Sequence, residues 1–348
     1  MKYLWQIFLI IVLFPAGLCA ETMVLKSGVK VQGRIIEDTT DYIRMGIDEN
    51  NILTFYRDEI QTIEEDAYDV PSQPVAVETQ PRHFLWQIVS GRGKVYLFGS
   101  IHLGKPDMYP LNSVIEQAFE ESDALVVEVD VESVPQLAAQ QKFQERGLFL
   151  DGRHLQQVLT NETYELLEKR LADYQIPINN ILVYKPWFTA IMLQMMQVVK
   201  LGFDPQYGVD AYFLKKAREK KDVLELESLD EQLSFLDAIA DQDLFLRYTL
   251  EMLDETERLL DEFLKAWSSG DVELIEQIFI GDIVAEHPDA IPILKTILYD
   301  RNVGMANKIQ GYLKDGRTYF VVVGAAHLIG DQSIIALLQN KGHRVDQL

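Results

Sequence analysis

Two hydrophobic patterns divide the chain. Over residues 21–66, short apolar runs at 23–25, 29–36, 42–47, 52–56 and 60–63 are broken by Ser27-Gly28, Asp38-Thr39-Thr40 and Asp48-Glu49-Asn50-Asn51. Runs of that length, rich in Val, Ile, Tyr and Thr and separated by turn formers, predict strands. Roughly 45 residues is near the lower limit for a core that stands alone. The expectation is a compact, five-stranded SH3-like β-barrel. Residues 67–81 carry Pro71, Pro74 and Pro81 among Ser, Gln and Glu, a composition that packs neither as a helix nor as a central strand and predicts a linker.

From residue 82 onward the pattern changes. Apolar runs at 84–89 and 94–98 flank Ser90-Gly91-Arg92-Gly93 and predict a hairpin. Residues 112–121 read as a helix, and the continuous apolar run at 124–129 as a buried strand. From about 135 to 311 the spacing is mostly helical, as in Leu166, Leu167, Leu171 and Ile191, Met195, Met196. A short strand at 223–226 interrupts it. Residues 319–323 form another buried strand, 333–339 a helix, and a last short strand closes the chain near Val345. The predicted fold class is α/β (α+β) over residues 82–348: two related β-α-β halves around a large helical insertion.

One internal echo carries the chemistry. Val95-Tyr96-Leu97-Phe98-Gly99-Ser100-Ile101-His102-Leu103 matches Phe320-Val321-Val322-Val323-Gly324-Ala325-Ala326-His327-Leu328. Each is a buried strand, then Gly-x-x-His-Leu, then a loop and a helix. Ligands of open α/β sheets sit beyond the carboxyl ends of strands, where both histidines fall. Two such strands, paired, bring two imidazoles to one crevice. A hydrolytic metal site adds a carboxylate and leaves a position open for water. Glu128, inside an apolar strand where an unpartnered charge is costly, is the candidate. His83, His154, His287 and His343 lack this context and are expected to be surface or packing residues. Asp210 opens a helix after Gly208, Glu227 ends a strand, and Arg301-Asn302 begins an amphipathic helix.

Composition restricts partners and compartment. The 348 residues are 48% hydrophobic and 25% charged, with a formal net charge of −22. A surface of that sign repels phosphate backbones, so nucleic acid is not an expected partner. Residues 1–20 have Lys2, an apolar stretch from Leu4 to Leu13, then Pro15, Gly17 and Ala20. They predict a secretory signal peptide and an exported protein, periplasmic, cell-surface or extracellular, with an uncleaved membrane anchor as the alternative, disfavoured because the apolar stretch is short for a bilayer. Cleavage after Ala20 removes Cys19, the chain's one cysteine, and with it thiol catalysis and disulfides.

The elements Gly99-Ser100-Ile101-His102-Leu103, Glu128 in its strand, Tyr207-Gly208-Val209-Asp210, Leu226-Glu227, Glu231-Gln232, Trp267-Ser268-Ser269-Gly270-Asp271, Arg301-Asn302 and Gly324-Ala325-Ala326-His327-Leu328 resemble the TraB/PrgY/GumN family, which includes the Tiki proteins. The resemblance covers residues 82–348. It implies an α/β core with a helical insertion, related to erythromycin-esterase-like and haem-binding ChaN-like folds. For Tiki members it implies metal-dependent protease activity, with manganese or cobalt as the ion. His102 and His327 match the two motif histidines, Glu128 the motif glutamate, and Arg301 and Asn302 the polar pair of the second half.

The expected function is thus a metal-dependent hydrolase acting on a peptide or protein substrate. His102, His327 and Glu128 hold a divalent ion (manganese, cobalt, zinc or iron), Glu227 or Asp210 takes the proton, and Arg301 or Asn302 steadies the oxyanion. Two other readings use the same crevice: a metal-independent esterase-like hydrolase, and a non-catalytic envelope protein that sequesters haem or a peptide. The barrel in front offers a site for an envelope partner.

Overall fold

The computed structural model describes residues 21–26, 30–40, 42–48, 51–65, 82–91, 93–130, 136–218, 220–281, 284–285 and 287–348. The expected signal peptide and proline-rich linker lie outside the described residues. Residues 21–65 and 82–348 belong to separate compact units.

The first unit is a five-stranded antiparallel sheet of order β4-β3-β2-β1-β5. Its strands are β1 (Glu21–Leu25), β2 (Lys30–Asp38), β3 (Tyr42–Asp48), β4 (Asn51–Tyr56) and β5 (Ile60–Glu65). They follow the five apolar runs. Its core among the described residues is Ile43, Met45 and Phe55, with Leu25, Val31 and Ile60 against them.

The second unit is built on a six-stranded mixed sheet of order β11-β6-β7-β10-β8-β9. Strands β6 (Leu85–Ser90) and β7 (Gly93–Ser100) form the hairpin, and β8 (Ala124–Val127) follows the Ser113–Glu120 helix. Strand β9 (Asp222–Glu225) comes from within the helical stretch. Strand β10 (Thr318–Gly324) leads through the Ile334–Asn340 helix to β11 (Val345–Gln347). β10 lies between β7 and β8 and is parallel to both, and β9 extends the parallel set on the other side of β8. The two strands of the internal echo are therefore neighbours, with Val323 opposite Gly99 and Gly324 opposite Ser100.

Strand lengths differ from the sequence reading for a structural reason. β7 runs through Gly99 and Ser100 because β10 pairs with it to Gly324. β8 stops at Val127, where its ladder with β10 ends. The next N–H of β10, on Gly324, is taken by the Glu128 side chain at 2.6 Å instead of by backbone.

Parallel strands covered on both faces are apolar throughout, as in β8, whose four residues are all buried. The core packs Phe98 and Phe320 from the sheet against Phe119 and Phe213 from helices, with ring centroids 4.8–5.9 Å apart. Each such ring contributes about 1.5–3 kcal/mol by leaving water. Phe213 belongs to the helix Val209–Ala217, so this contact anchors part of the helical insertion to the sheet beside the echo strands.

Candidate active site

Four parallel strands end at one edge, and each delivers a polar side chain within three residues of its end. β7 delivers His102, β10 His327, β8 Glu128 and β9 Glu227, while Ser100 and Gly324 are the last paired residues of β7 and β10. Backbone pairing persists on one side, with Leu226 N–H donating to Val127 O at 2.9 Å and Glu227 N–H to Glu128 O at 2.8 Å. Glu128, Glu227 and His327 are buried, whereas His102 is the member that reaches solvent, its side chain 12% exposed.

Glycine placement explains why the two segments close together. The Phe84 ring occupies the place of a Cβ on Gly99, 2.2 Å away from it. A Cβ on Gly324 would lie 2.8 Å from His102 Nε2 and 3.3 Å from Glu128 Oε1. The first histidine thus fills the space that the second glycine leaves open. Trp267 Nε1 donates to Gly99 O at 2.7 Å and holds the first turn from behind. Its helix, Thr256–Ser269, ends on Gly270 with φ 68°, and Asp271 then caps the next helix through Leu274 N, which accounts for the Trp-Ser-Ser-Gly-Asp run.

Both imidazoles are fixed through Nδ1. His102 Nδ1 is 2.7 Å from Asp210 Oδ2, and Ser100 Oγ donates to the other carboxylate oxygen at 3.1 Å. His327 Nδ1 is 2.5 Å from Asn302 Oδ1, and Asn302 Nδ2 donates to Gln332 O at 2.8 Å. Because Asn302 presents its oxygen, His327 Nδ1 carries the proton and Nε2 the lone pair. The Nε2 edges of both rings border Glu128: His102 through the Gly324 gap, and His327 at 3.6 Å from Glu128 Oε1.

The electrostatics separate the two rings. Burial pushes His102 down, but the charge and hydrogen bond of Asp210 and the charge of Glu128 together outweigh it, and its pKa lies above the ordinary imidazole value. Burial dominates at His327, whose pKa is lowered to about 3. His327 is therefore neutral at pH 7, and its 3.6 Å approach to Glu128 is a polar contact, not an ion pair.

Behind the imidazoles lies a buried ionic cluster. Arg301 Nη2 donates to Glu128 Oε2 at 2.6 Å and to Glu227 Oε2 at 2.8 Å, its Nε reaches Glu227 at 3.0 Å, and its Nη1 donates to Ile297 O at 3.1 Å. Ile297 lies in the π-helical turn Lys295–Tyr299 that leads into the Asp300–Tyr312 helix. Gln232 Nε2 bridges Glu128 and Glu227 at 3.2 and 3.3 Å. Burial raises Glu128, yet His327, which carries a charge in the acid range where Glu128 titrates, Arg301, His102 and the Gly324 N–H more than offset it and lower its pKa to about 2. Burial keeps Glu227 above the usual carboxylate range despite Arg301. Replacing such a buried triad by apolar groups is often neutral or stabilising, so its presence at the sheet edge points to a site more than to stability.

The model of the TraB/PrgY/gumN family matches residues 84–347. The chain belongs to that family. Relatives of this TraB/PrgY/gumN chain include the uncharacterized protein YbaP of Escherichia coli, 27% identical over 267 residues, which are 74% of this chain and 94% of YbaP. The metalloprotease TIKI2 of Xenopus tropicalis is 24% identical over 315 residues and the metalloprotease TIKI1 of Danio rerio 21%. Both alignments cover 76% of this chain but only 59% and 62% of those proteins. No solved structure matches the chain.

Within this TraB/PrgY/gumN fold, the expected metal ligands divide. Among the described residues, no three His, Cys, Asp or Glu side chains are grouped to hold a metal ion. Glu128 is the misfit: Arg301 and Gln232 take one of its oxygens and Gly324 N–H the other. The two imidazoles do fit, because each has its Nδ1 anchored and Nε2 turned inward, the usual support of a metal-bound histidine. Arg301 and Asn302, expected to steady an oxyanion, instead direct their donors to Glu227, Glu128, Ile297 O and Gln332 O. Asp210 is the acidic residue in the first turn of its helix, with Gly208 in the cap position, and its carboxylate orients His102. Glu227 is ion-paired with Arg301 and accepts from Gln232.

Gln232 and Ser100 lie outside the expected set of site residues. A signal for Gln232 exists in Ser228-x-x-Glu231, a capping box with Glu231 Oε2 on Ser228 N at 2.7 Å and Glu231 N on Ser228 Oγ at 3.2 Å. With Glu231 turned outward to the cap, the next residue points inward. The remaining histidines pack elsewhere: His83 is buried just before β6, His154 stands at the N-cap position of the Leu155–Val158 helix, His287 lies against Tyr248, and His343 approaches Gln310.

Proposed function

We propose that this chain is a hydrolase of peptide bonds whose reactive groups are the Nε2 edges of His102 and His327. The observation that carries this reading is the shared arrangement of the two rings: Nδ1 tied to Asp210 or Asn302, with Nε2 of His327 3.6 Å from Glu128 Oε1 and Nε2 of His102 in the gap beside Gly324. The relatives named metalloproteases support peptide bonds as the substrate and a divalent ion as the cofactor. His102 and His327 would hold that ion, which when bound supplies an activated water and a polarised carbonyl. The protein's part is to keep His327 neutral by burial, to aim both rings, and to fix Glu128 beside them through Arg301 and Gly324 N–H.

The opposite displacement of the two imidazole pKa values favours a second reading. Residues whose environments push their pKa values apart serve as acid and base, so protonated His102 would act as the acid and neutral His327 as the base on an ester or amide without a metal. One experiment separates the two. Metal content of the purified protein and of His102→Ala and His327→Ala is measured beside hydrolysis of a peptide library, with and without chelator. Near-stoichiometric metal, lost in both variants together with activity, supports the first reading. Full activity of the metal-free protein selects the second, and no hydrolysis under any metal sinks both.

Export rests on the character of residues 1–20. Among the described residues, no helix is long and apolar enough to cross a membrane. The five-stranded sheet, read as an SH3-like barrel, would serve as the binding module for an envelope partner.

A further inference from the structure

Residues 207–210, which lead into the Val209–Ala217 helix, touch the first Gly-x-x-His segment or the loop just after it at every position. Tyr207 O stands 1.9 Å from where a Cβ on Gly104 would be, and it accepts the Tyr109 hydroxyl at 2.7 Å. Gly208 lies against the His102 carbonyl so closely that a Cβ would be 2.3 Å from its oxygen. Val209 N–H donates to Ile101 O at 2.8 Å. Asp210 binds His102 Nδ1 and Ser100 Oγ. Beyond them, Gly104 and Asp204 exchange backbone hydrogen bonds of 3.2 and 2.9 Å.

One of these contacts comes from a side-chain tip that can be removed while its ring stays in place. The Tyr109 ring stacks on Tyr212, centroids 4.5 Å apart, and Tyr212 is itself tied to Glu116 at 2.5 Å. The ring is therefore held independently of its hydroxyl.

We propose that Tyr109 is a positioning residue for His102: its hydroxyl locks the Tyr207 carbonyl and so seats residues 207–210 on the loop that carries the histidine. The inference rests on the reading of His102 Nε2 as a reactive edge. With the latch closed, Gly208 and Val209 fix the backbone of residues 101–102 and Asp210 fixes the ring. With it open, the carbonyl of Tyr207 loses its side-chain partner and the segment can lift from Gly104.

The test needs no substrate. The purified full chain and its Tyr109→Phe variant are treated with diethyl pyrocarbonate, and modification is followed at each histidine by peptide mass spectrometry. The expected result is a His102 rate raised roughly three- to tenfold, the scale on which losing one hydrogen bond shifts a local equilibrium. His327 and His343 rates stay unchanged, and the thermal midpoint falls by no more than about 2–4 °C, the scale of one hydrogen bond. An unaltered His102 rate overturns the proposal. So does a rise shared by His327 or a midpoint lowered beyond that range, because Tyr109 would then support the fold at large. A wild-type protein that hydrolyses nothing leaves the latch standing, and a flat His102 rate leaves the hydrolase reading standing.

Discussion

His102 Nε2 lies against the bare Cα of Gly324, in a gap where a Cβ would come within 2.8 Å. The histidine of one segment is thus seated by the glycine of the other, and the pairing of β7 with β10 sets the register that makes this possible. The second glycine serves less as a backbone hinge than as an absence of side chain.

Gly324→Ala is accordingly expected to act on the site before the fold. The ring has little room to yield because Asp210 holds its Nδ1 at 2.7 Å. Overpacking of this kind costs about 1–3 kcal/mol of stability, whereas misplacing a reactive group by about 1 Å costs roughly 100-fold in rate. Denaturant unfolding and peptide hydrolysis, measured on the same sample, check the asymmetry.

Asp210→Asn removes the charge beside His102 Nδ1, and Asn302→Leu removes the acceptor of His327 Nδ1. Groups that orient such histidines typically contribute 10–100-fold, roughly, in metal affinity or activity. Both variants are expected to fall in that range while the protein stays folded. Asn302→Leu also leaves the buried Nδ1–H of His327 without an acceptor, so it is expected to be the less stable of the two. Metal affinity and thermal midpoints of the pair test this order.

The buried cluster predicts an acid limit of stability. Glu128 has a folded pKa of about 2 against an ordinary 4.5. A depressed carboxylate contributes stability that is fully present above its unfolded pKa and is lost as pH falls through the folded value. The loss therefore falls between pH 4.5 and about 2. Glu227, raised above the usual range, has the opposite sign: its contribution is present at low pH and is lost as pH rises through its folded value. Glu128→Gln should flatten the acid side of the stability curve. Arg301→Met leaves two buried carboxylates unpaired and should cost roughly 3–5 kcal/mol at neutral pH. The double variant should cost less than the sum, as chemical denaturation at several pH values would show.

Much of the architecture was legible along the chain. The apolar runs located the strands of the mixed sheet, and spacings of three and four marked the helical stretch, because burial imposes those periods on any residues that form such elements. The repeated Gly-x-x-His placed two histidines past strand ends, and an acidic residue at the end of an all-apolar strand marked Glu128 as a buried charge. What each polar residue faces was not legible. Glu128 reads equally well as a ligand or as the partner of an arginine, and only packing put Arg301 within 2.6 Å of it from 173 positions away. Asp210 reads as an acidic residue opening a helix until the close approach of Gly208 to the His102 carbonyl turns its carboxylate onto the imidazole. Local sequence determines periodicity and turn chemistry. The tertiary structure decided the partners, because a buried charge is satisfied by whatever the rest of the chain brings within hydrogen-bonding distance.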